Sequence, residues 1–201
     1  MRLGSLTISG DAAREMTLMH VRDSPFADYF SCSWVGPAPP VTPAHLWRAN
    51  HLAAGWQVAE VRAFMATAAP RVDDLLARLP SEEPGSPSRS RWFGELVETV
   101  RDVTGVGPTR LAKALHPISP RHIPIIDNKA LPWAVATWFP QLAWNSMSWR
   151  DIYELLDSLW LSQEEDLAAA VEGVSAVVPG RLVSPFGVMD AIIYRGWTKS
   201  G

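Results

Sequence analysis

The feature that most constrains the fold is the stretch Val103-Thr104-Gly105-Val106-Gly107-Pro108, which separates two helical patterns. Two glycines so close together permit the positive φ and the close backbone approach that a tight turn needs. Pro108 suits the first position of a helix, where no amide hydrogen is required. Before the turn, apolar residues recur at helical spacing, namely Trp92, Phe93, Leu96, Val97 and Val100. The stretch therefore predicts two helices joined by a tight hairpin, the second helix running from about Pro108 to Leu115.

Helical periodicity continues through most of the chain, and residues 1–40 are the exception. In that irregular region, Leu3–Ile8 fits either a short strand or an extended arm. Thr42 followed by Pro43 is typical of an N-cap and the first residue of a helix. Further helices are predicted over Val72–Leu79, Asn128–Trp138, Trp149–Leu161, Glu164–Val174 and Pro185–Tyr194. We therefore expect an all-α fold.

The length of 201 residues is sufficient for one domain with a substantial core, in which two small lobes share that core. The segment 80–91 is rich in serine, proline and glycine, and it is predicted to be a linker. We expect one lobe over about 1–80, a hairpin lobe over about 91–140, and C-terminal helices over 141–201.

Composition excludes several classes of protein. The formal net charge is −3, which is unlike a strongly basic, non-specific DNA-binding protein, so any nucleic-acid contact must come from a local patch. Cys32 is the only cysteine, so an internal disulfide and an iron–sulfur cluster on four thiolates are both excluded. No apolar run reaches the ~18 residues of a membrane span, and the N-terminus lacks a secretory pattern. A soluble cytoplasmic protein with no membrane contact is expected.

The hairpin is a candidate anion site, because the amides of the turn and of the following helix can hold a phosphate without reading a base. Local positive charge would come from Arg110, Lys113 and Lys129. The residues predicted to bind DNA phosphate are Gly105, Val106, Gly107, Thr109, Arg110, Lys113 and Lys129. An ordinary glycine-containing turn between two helices explains the hairpin equally well when the hairpin is considered alone.

A single carboxylate follows the hairpin at a defined distance. Asp127 ends the run Pro124-Ile125-Ile126-Asp127 and lies twenty residues after Gly107. Hairpin and aspartate together resemble the helix-hairpin-helix DNA glycosylase superfamily, and the string Ile123–Ala130 is most similar to its adenine-excising branch. The resemblance covers about residues 90–140. It implies a helix-hairpin-helix glycosylase-like fold with a cleft between the lobes.

The resemblance also implies a reaction, in which Asp127 is the catalytic residue. A fixed carboxylate stabilises the positive charge that develops on deoxyribose as the N-glycosidic bond breaks, and it can orient the attacking water. Members of the superfamily with lyase activity carry a lysine where this chain has Thr109, so a monofunctional enzyme is implied. Lys113 is expected to meet phosphate, with the role of a substitute nucleophile left open. Alternatively, Asp127 is a helix N-cap, and the two roles are compatible.

Excision requires the target base to be flipped out of the duplex into a pocket, with a wedge residue in its place. Ten tryptophans allow a stacking surface, although tryptophans also belong to cores. The candidates for pocket or wedge are Tyr29, Phe30, Trp34, Trp47 and Trp56. Asp190 is either a second functional acid or a capping or ion-paired residue. Histidines are scattered, so no metal and no cofactor are expected, and the protein is expected to act as a monomer on DNA.

The hypothesis is thus a monofunctional DNA glycosylase for a damaged or modified base, including the modified bases of phage DNA in an antiviral role. Two alternatives remain open. One is a helix-hairpin-helix module that binds DNA without catalysis, and the other is a structural helical domain without a nucleic-acid role.

Overall fold

The computed structural model of the protein describes residues 1–22, 26–31, 38–80 and 83–200. The described chain is mainly helical, which confirms the all-α prediction. Its sheet is one antiparallel pair, in which β1 (Arg2–Leu3) pairs with β2 (Leu6–Thr7), so the short-strand interpretation of Leu3–Ile8 is partly correct. Within the described residues, no helix is long and apolar enough to cross a membrane.

The N-terminal part contains five α-helices and one 3₁₀-helix. They are α1 (Gly10–Arg22), α2 (Phe26–Tyr29), α3 (Pro43–Arg48), the 3₁₀-helix Ala49–Leu52, α4 (Val58–Thr67) and α5 (Ala69–Leu76). The remainder contains six α-helices and a second 3₁₀-helix. They are α6 (Pro87–Glu98), α7 (Pro108–Leu115), α8 (Ala130–Trp138), the 3₁₀-helix Trp144–Ser146, α9 (Trp149–Ser162), α10 (Glu164–Ser175) and α11 (Pro185–Ser200).

The local sequence explains where several helices begin. Thr42 has an extended backbone and caps α3, with Pro43 at the first helical position, as predicted. Ser148 caps α9 in a reciprocal arrangement with Asp151, whose carboxylate accepts from the Ser148 amide at 2.7 Å. The helix predicted over Val72–Leu79 instead spans Ala69–Leu76, and α11 continues to Ser200, beyond the predicted Tyr194.

Helix α1 was missed, because the prediction treated residues 1–40 as irregular. Its buried face carries Ala13, Thr17, His20 and Val21, of which three are polar or small, so hydrophobic periodicity is weak there. One polar member of this face is satisfied within the helix, since the Thr17 hydroxyl donates to the Ala13 carbonyl at 2.8 Å. Helix α1 packs against α10 and α11, so it groups with the C-terminal helices and not with a lobe over 1–80.

The predicted linker over 80–91 is wrong in its C-terminal part. Helix α6 begins at Pro87, and Arg89 is fully buried within it. The Arg89 guanidinium donates to Asp157 Oδ1 at 2.9 Å and to the Arg121 carbonyl at 2.7 Å, and it lies 4.9 Å from the ring centre of Trp160. A serine- and proline-rich composition concealed this helix start, because Pro87 at its first turn favours helix instead of breaking it.

Candidate active site

A pocket of about 490 Å³ opens where the N-terminal helices, the hairpin helix and the C-terminal helix meet. Its volume is within the ~300–1,000 Å³ that is typical of small-molecule sites. Residues from six segments line it: His20; Phe26; His51, Leu52 and Ala53; Lys113; Ile125, Asp127, Asn128 and Lys129; and Asp190, Tyr194 and Trp197.

Asp127 lies in this pocket with both carboxylate oxygens engaged. Oδ1 accepts hydrogen bonds from the amides of Lys129 and Ala130, each at 2.8 Å, so the side chain also caps α8. Oδ2 accepts from Lys113 Nζ at 2.9 Å. Burial opposes ionisation, but the Ala130 amide and the Lys113 ammonium outweigh it and hold the pKa of Asp127 below its ordinary value. The carboxylate is therefore an anion with a fixed orientation.

Lys113 does not face solvent, and the prediction that it binds phosphate is wrong. Its side chain is 6% exposed, and the ammonium donates both to Asp127 and to the Leu52 carbonyl at 2.9 Å. The position of Lys113 on α7 explains the error. Lys113 follows Thr109 by one helical turn, and the face of α7 that carries Lys113 packs toward the 3₁₀-helix Ala49–Leu52. The amine is thus part of the pocket itself.

The two glycines of the hairpin differ, because Gly105 adopts a backbone conformation that favours glycine and Gly107 does not. Gly105 has φ +78°, and a Cβ atom there would lie 2.4 Å from Glu60 Oε1. Gly107 has an extended backbone instead of the expected positive φ, and a Cβ atom there would meet no atom within 4 Å among the described residues. Val106 is buried and anchors the turn, while Thr109 lies in the first turn of α7.

The charges predicted around the hairpin are only partly available. Arg110 donates to the Gly105 carbonyl at 2.6 Å and pairs with Glu60 at 2.6 Å, so it braces the turn. The hydrogen bond from Arg110 lowers the pKa of Glu60. Lys129 is exposed at the pocket and contributes its backbone amide to Asp127. A phosphate at this hairpin would therefore share Arg110 with Glu60 or displace that carboxylate.

A buried histidine holds the segment that leads to Asp127. His116 Nδ1 donates to the Ile123 carbonyl at 2.5 Å, which leaves Nε2 to accept from Ser184 Oγ at 3.4 Å. Burial lowers the pKa of His116 to about 4, so the ring is neutral near pH 7. Through this ring the C-terminal end of α7, the proline-rich loop and the start of α11 are fixed relative to one another.

A second polar pair lies in the same pocket. His20 Nε2 is 3.1 Å from Asp190 Oδ2, and the two residues are 1% and 7% exposed. The His20 ring stacks on Phe26 at 4.6 Å and approaches Tyr194 at 5.4 Å between ring centres. Of the alternatives for Asp190, the structure shows the ion-paired one, with His20 as the partner. Both residues line the pocket.

The aromatic pocket predicted from the sequence is wrong in most of its members. Tyr29, Phe30 and Trp56 are at most 1% exposed and belong to the core, and the Tyr29 hydroxyl donates to the Lys113 carbonyl at 2.8 Å. Core packing explains this, because these rings contact one another and their neighbours edge to face. Trp47 is 39% exposed on α3, and Trp34 lies outside the described residues.

The rings that do line the pocket are Phe26, Tyr194 and Trp197, none of which the sequence analysis selected. Two of them could have been found, because Asp190, Tyr194 and Trp197 follow one another at intervals of four and three residues on α11. That spacing puts them on one helical face. Phe26 carried no such indication, since it is separated from α1 by residues without a clear pattern.

Among the described residues, no group of three or more histidine, cysteine, aspartate or glutamate side chains is arranged to hold a metal ion. The chain matches no model of a known protein family, no curated protein and no solved structure.

Proposed function

We propose that the protein is a DNA N-glycosylase of the helix-hairpin-helix type that removes a damaged or modified base by hydrolysis. The observation that carries the proposal is the ionised Asp127 carboxylate in a pocket of about 490 Å³, next to the helix that follows the Gly-Val-Gly hairpin. A flipped nucleotide needs such a recess, and DNA can approach the hairpin closely because the space beside Gly107 is open.

The chemistry follows from the properties of Asp127. As the bond between the base and C1′ lengthens, positive charge develops on the deoxyribose ring, and a fixed anion beside that ring stabilises the charge. The hydrogen bonds from Lys129, Ala130 and Lys113 fix the position of the carboxylate before the reaction begins. Little reorganisation is then needed in the transition state, and the same carboxylate can orient the attacking water.

The proposed recognition of DNA uses the backbone more than side-chain charge. No side chain caps the N-terminus of α7 among the described residues, so its first amides are open to a phosphate. Trp47 is the one described aromatic residue of the sequence-based set that is exposed, which makes it the wedge candidate. Its helix, α3, packs against α7.

The test is a screen for base release. Duplex and single-stranded DNAs that carry oxidised, alkylated, deaminated or phage-type modified bases are incubated with the protein, and abasic sites are cleaved with alkali. We expect release from at least one substrate, and loss of release in Asp127→Asn while DNA binding persists. Asp11→Asn, an exposed exchange of the same chemistry on α1, is the matched control. If phage-modified DNA is the preferred substrate, the result supports an antiviral role.

A different outcome of the screen would favour a module that binds DNA without catalysis. Such a module binds DNA in a salt-dependent manner, is insensitive to Asp127→Asn, and loses binding when Gly107→Leu fills the open space beside the hairpin. If the protein binds no DNA at low salt, both nucleic-acid functions are wrong and a structural role remains.

The Lys113–Asp127 contact favours a second candidate, a glycosylase with lyase activity. Thr109 cannot form a Schiff base, but Lys113 Nζ lies 2.9 Å from Asp127, to which it could give a proton before attacking C1′. In the ion pair the amine is an ammonium without a free electron pair, so we favour hydrolysis. Borohydride trapping separates the two, because a covalent protein–DNA adduct that disappears in Lys113→Met indicates the lyase.

A further inference from the structure

The proposed reaction lacks one component, a group that supplies a proton to the departing base. The pocket contains a second buried pair, His20 and Asp190, which come from α1 and α11 and are joined at 3.1 Å. Apolar rings of Phe26 and Tyr194 flank the histidine. Burying a histidine and a carboxylate together costs desolvation energy, so such a pair calls for a functional explanation.

The hydrogen bond between His20 and Asp190 uses Nε2 of the imidazole and leaves Nδ1. If Asp190 is ionised it only accepts, so the proton between the two residues lies on His20 Nε2. His20 Nδ1 is buried and has no hydrogen-bond partner among the described residues. A buried ring nitrogen without a partner is costly, and a ligand in the pocket that hydrogen bonds to it would remove that cost.

We propose that His20, oriented by Asp190, is the general acid that protonates the leaving base; the proposal rests on the glycosylase function proposed above. In the step, the proton on Nδ1 of the imidazolium moves to a ring nitrogen of the base. The electron pair of the C1′–N bond leaves with that base. Water adds to C1′ beside Asp127, and its proton goes to the carboxylate or to solvent. His20 ends neutral and regains a proton from solvent. Asp190 is a positioning residue that stabilises the imidazolium.

The groups around His20 are consistent with a single dominant partner. From α11 it meets Asp190 and Tyr194, and it also meets Phe26 of α2 and Phe30, which follows that helix. The buried residues of α10, which also packs on α1, are apolar: Leu167, Ala170 and Val174. Across the pocket lie the charged groups of Lys113, Asp127 and Lys129 and the ring of His51. Of these groups, Asp190 is the one hydrogen bonded to the imidazole.

The first experiment uses the wild-type protein and free nucleobases as probes. Adenine, hypoxanthine, cytosine, uracil and 3-methyladenine are titrated while the histidine ring nitrogens are followed by ¹⁵N NMR, with resonances assigned from His20→Asn and His45→Asn. We expect at least one base to shift the Nδ1 resonance of His20 more than the resonances of His45, which lies on α3 and does not line the pocket. If no base shifts His20, the ring does not face the base and the proposal is wrong.

The second experiment measures base release against pH under single-turnover conditions, on the DNA that the screen identifies. The wild-type rate should fall as pH rises and His20 loses its proton. His20→Asn keeps an amide near the Nδ1 position but cannot titrate, so this alkaline limb should vanish and the rate should drop by about 10²-fold or more. Asp190→Asn should move the limb to lower pH, because the imidazolium loses its counter-charge. His45→Asn, on α3 and outside the pocket lining, should leave the limb in place.

The outcomes separate this proposal from the one on which it rests. If the wild type releases no base from any DNA, the glycosylase function fails and the role of His20 as an acid fails with it. If the wild type releases base and His20→Asn keeps the same rate and alkaline limb, the glycosylase stands and the His20 proposal is wrong. If His20→Asn does not fold, as judged by circular dichroism, the Asp190→Asn profile and the wild-type titration decide.

Discussion

Two pairs of a basic residue and an aspartate in the described part of the molecule resemble each other in distance and differ in environment. Arg89 and Asp157 lie 2.9 Å apart between α6 and α9, and Lys113 and Asp127 lie 2.9 Å apart in the pocket. Burial dominates at Asp157 and raises its pKa despite the charge of Arg89. At Asp127 the two backbone amides and the lysine outweigh burial and lower the pKa. The two carboxylates therefore differ in the direction of their pKa shift, although each is ion-paired.

The difference indicates what each pair does. The Arg89 guanidinium is also bonded to the Arg121 carbonyl and lies against Trp160, so its pair joins α6, α9 and the loop before Ile123. Removing one partner would leave an uncompensated charge in the core. The Lys113–Asp127 pair borders open space that can admit a ligand. An ion pair is therefore weak evidence for function until the volume beside it and the ionisation of its acid are known.

The largest expected effect tests the structural pair. Arg89→Met should lower the free energy of unfolding by about 3–5 kcal/mol, because Asp157 is left buried without its cation. Lys113→Met should cost less, about 1.5–3 kcal/mol, as expected for a lost hydrogen bond to a charged group. Urea unfolding followed by circular dichroism measures both. Equal losses in the two variants would remove the distinction between the pairs.

The next effect concerns activity. Asp127→Asn should slow base release by about 10²–10³-fold, the usual cost of removing a fixed electrostatic stabiliser. Asp157→Asn, the same chemical change in the other pair, should leave the rate per folded molecule unchanged. The measurement is single-turnover release normalised to the folded fraction. A comparable slowing in both variants would mean that the effect reflects stability and not chemistry.

The third effect involves the residue that fixes the segment before Asp127. The pKa of His116 is lowered to about 4 in the folded protein, so below pH 6.5 the unfolded chain takes up a proton that the folded chain does not. Stability contributed by His116 should thus be complete above pH 6.5 and fall by roughly 3 kcal/mol as pH drops to 4. His116→Asn, which retains a donor for the Ile123 carbonyl, should lack this dependence. Unfolding free energies over that pH range test it, and an unchanged slope would contradict it.

The smallest effect is a difference in sign between the two aspartates. Asp127 has a lowered pKa, so its stabilising contribution is present above the ordinary pKa of an aspartate and is lost as pH falls. Asp157 has a raised pKa, so the folded state holds its proton longer and stability declines as pH rises through that range. The stability difference between wild type and each asparagine variant should change with pH in opposite directions. Parallel slopes would show that the two carboxylates share one kind of environment.

The sequence was sufficient to locate most of the helices and the turn between α6 and α7, although α1 was missed. Local patterns determine these features: Pro108 begins α7 as predicted, and Gly105 adopts its positive φ within the turn. The sequence also predicts that Asp127 caps a helix, and both of its hydrogen bonds from backbone amides are present. Each of these features depends on residues within four positions of one another, so the local sequence is enough to predict it.

The remaining features depend on contacts between distant segments. His20 and Asp190 are 170 residues apart, and nothing in either local pattern indicates that they meet. Lys113 was predicted to face phosphate because basic residues usually lie at the surface, whereas its partners Leu52 and Asp127 come from elsewhere in the chain. The buried rings of Tyr29, Phe30 and Trp56 show the same limit, since a sequence does not distinguish an aromatic core from an aromatic pocket.

The bond from Lys113 to the Leu52 carbonyl has a consequence for how the pocket responds to its contents. Leu52 ends a 3₁₀-helix, and the next residue, Ala53, is the one non-glycine among the described residues with a positive φ, at 54°. That conformation costs about 1 kcal/mol or more, and it persists because its surroundings hold it. A ligand that draws the Lys113 ammonium away from Leu52 would remove one of the hydrogen bonds that hold this segment. The charge beside Asp127 and the shape of the pocket wall would then change together. The effects of substitutions at Lys113 and Ala53 on the free energy of unfolding should therefore be non-additive.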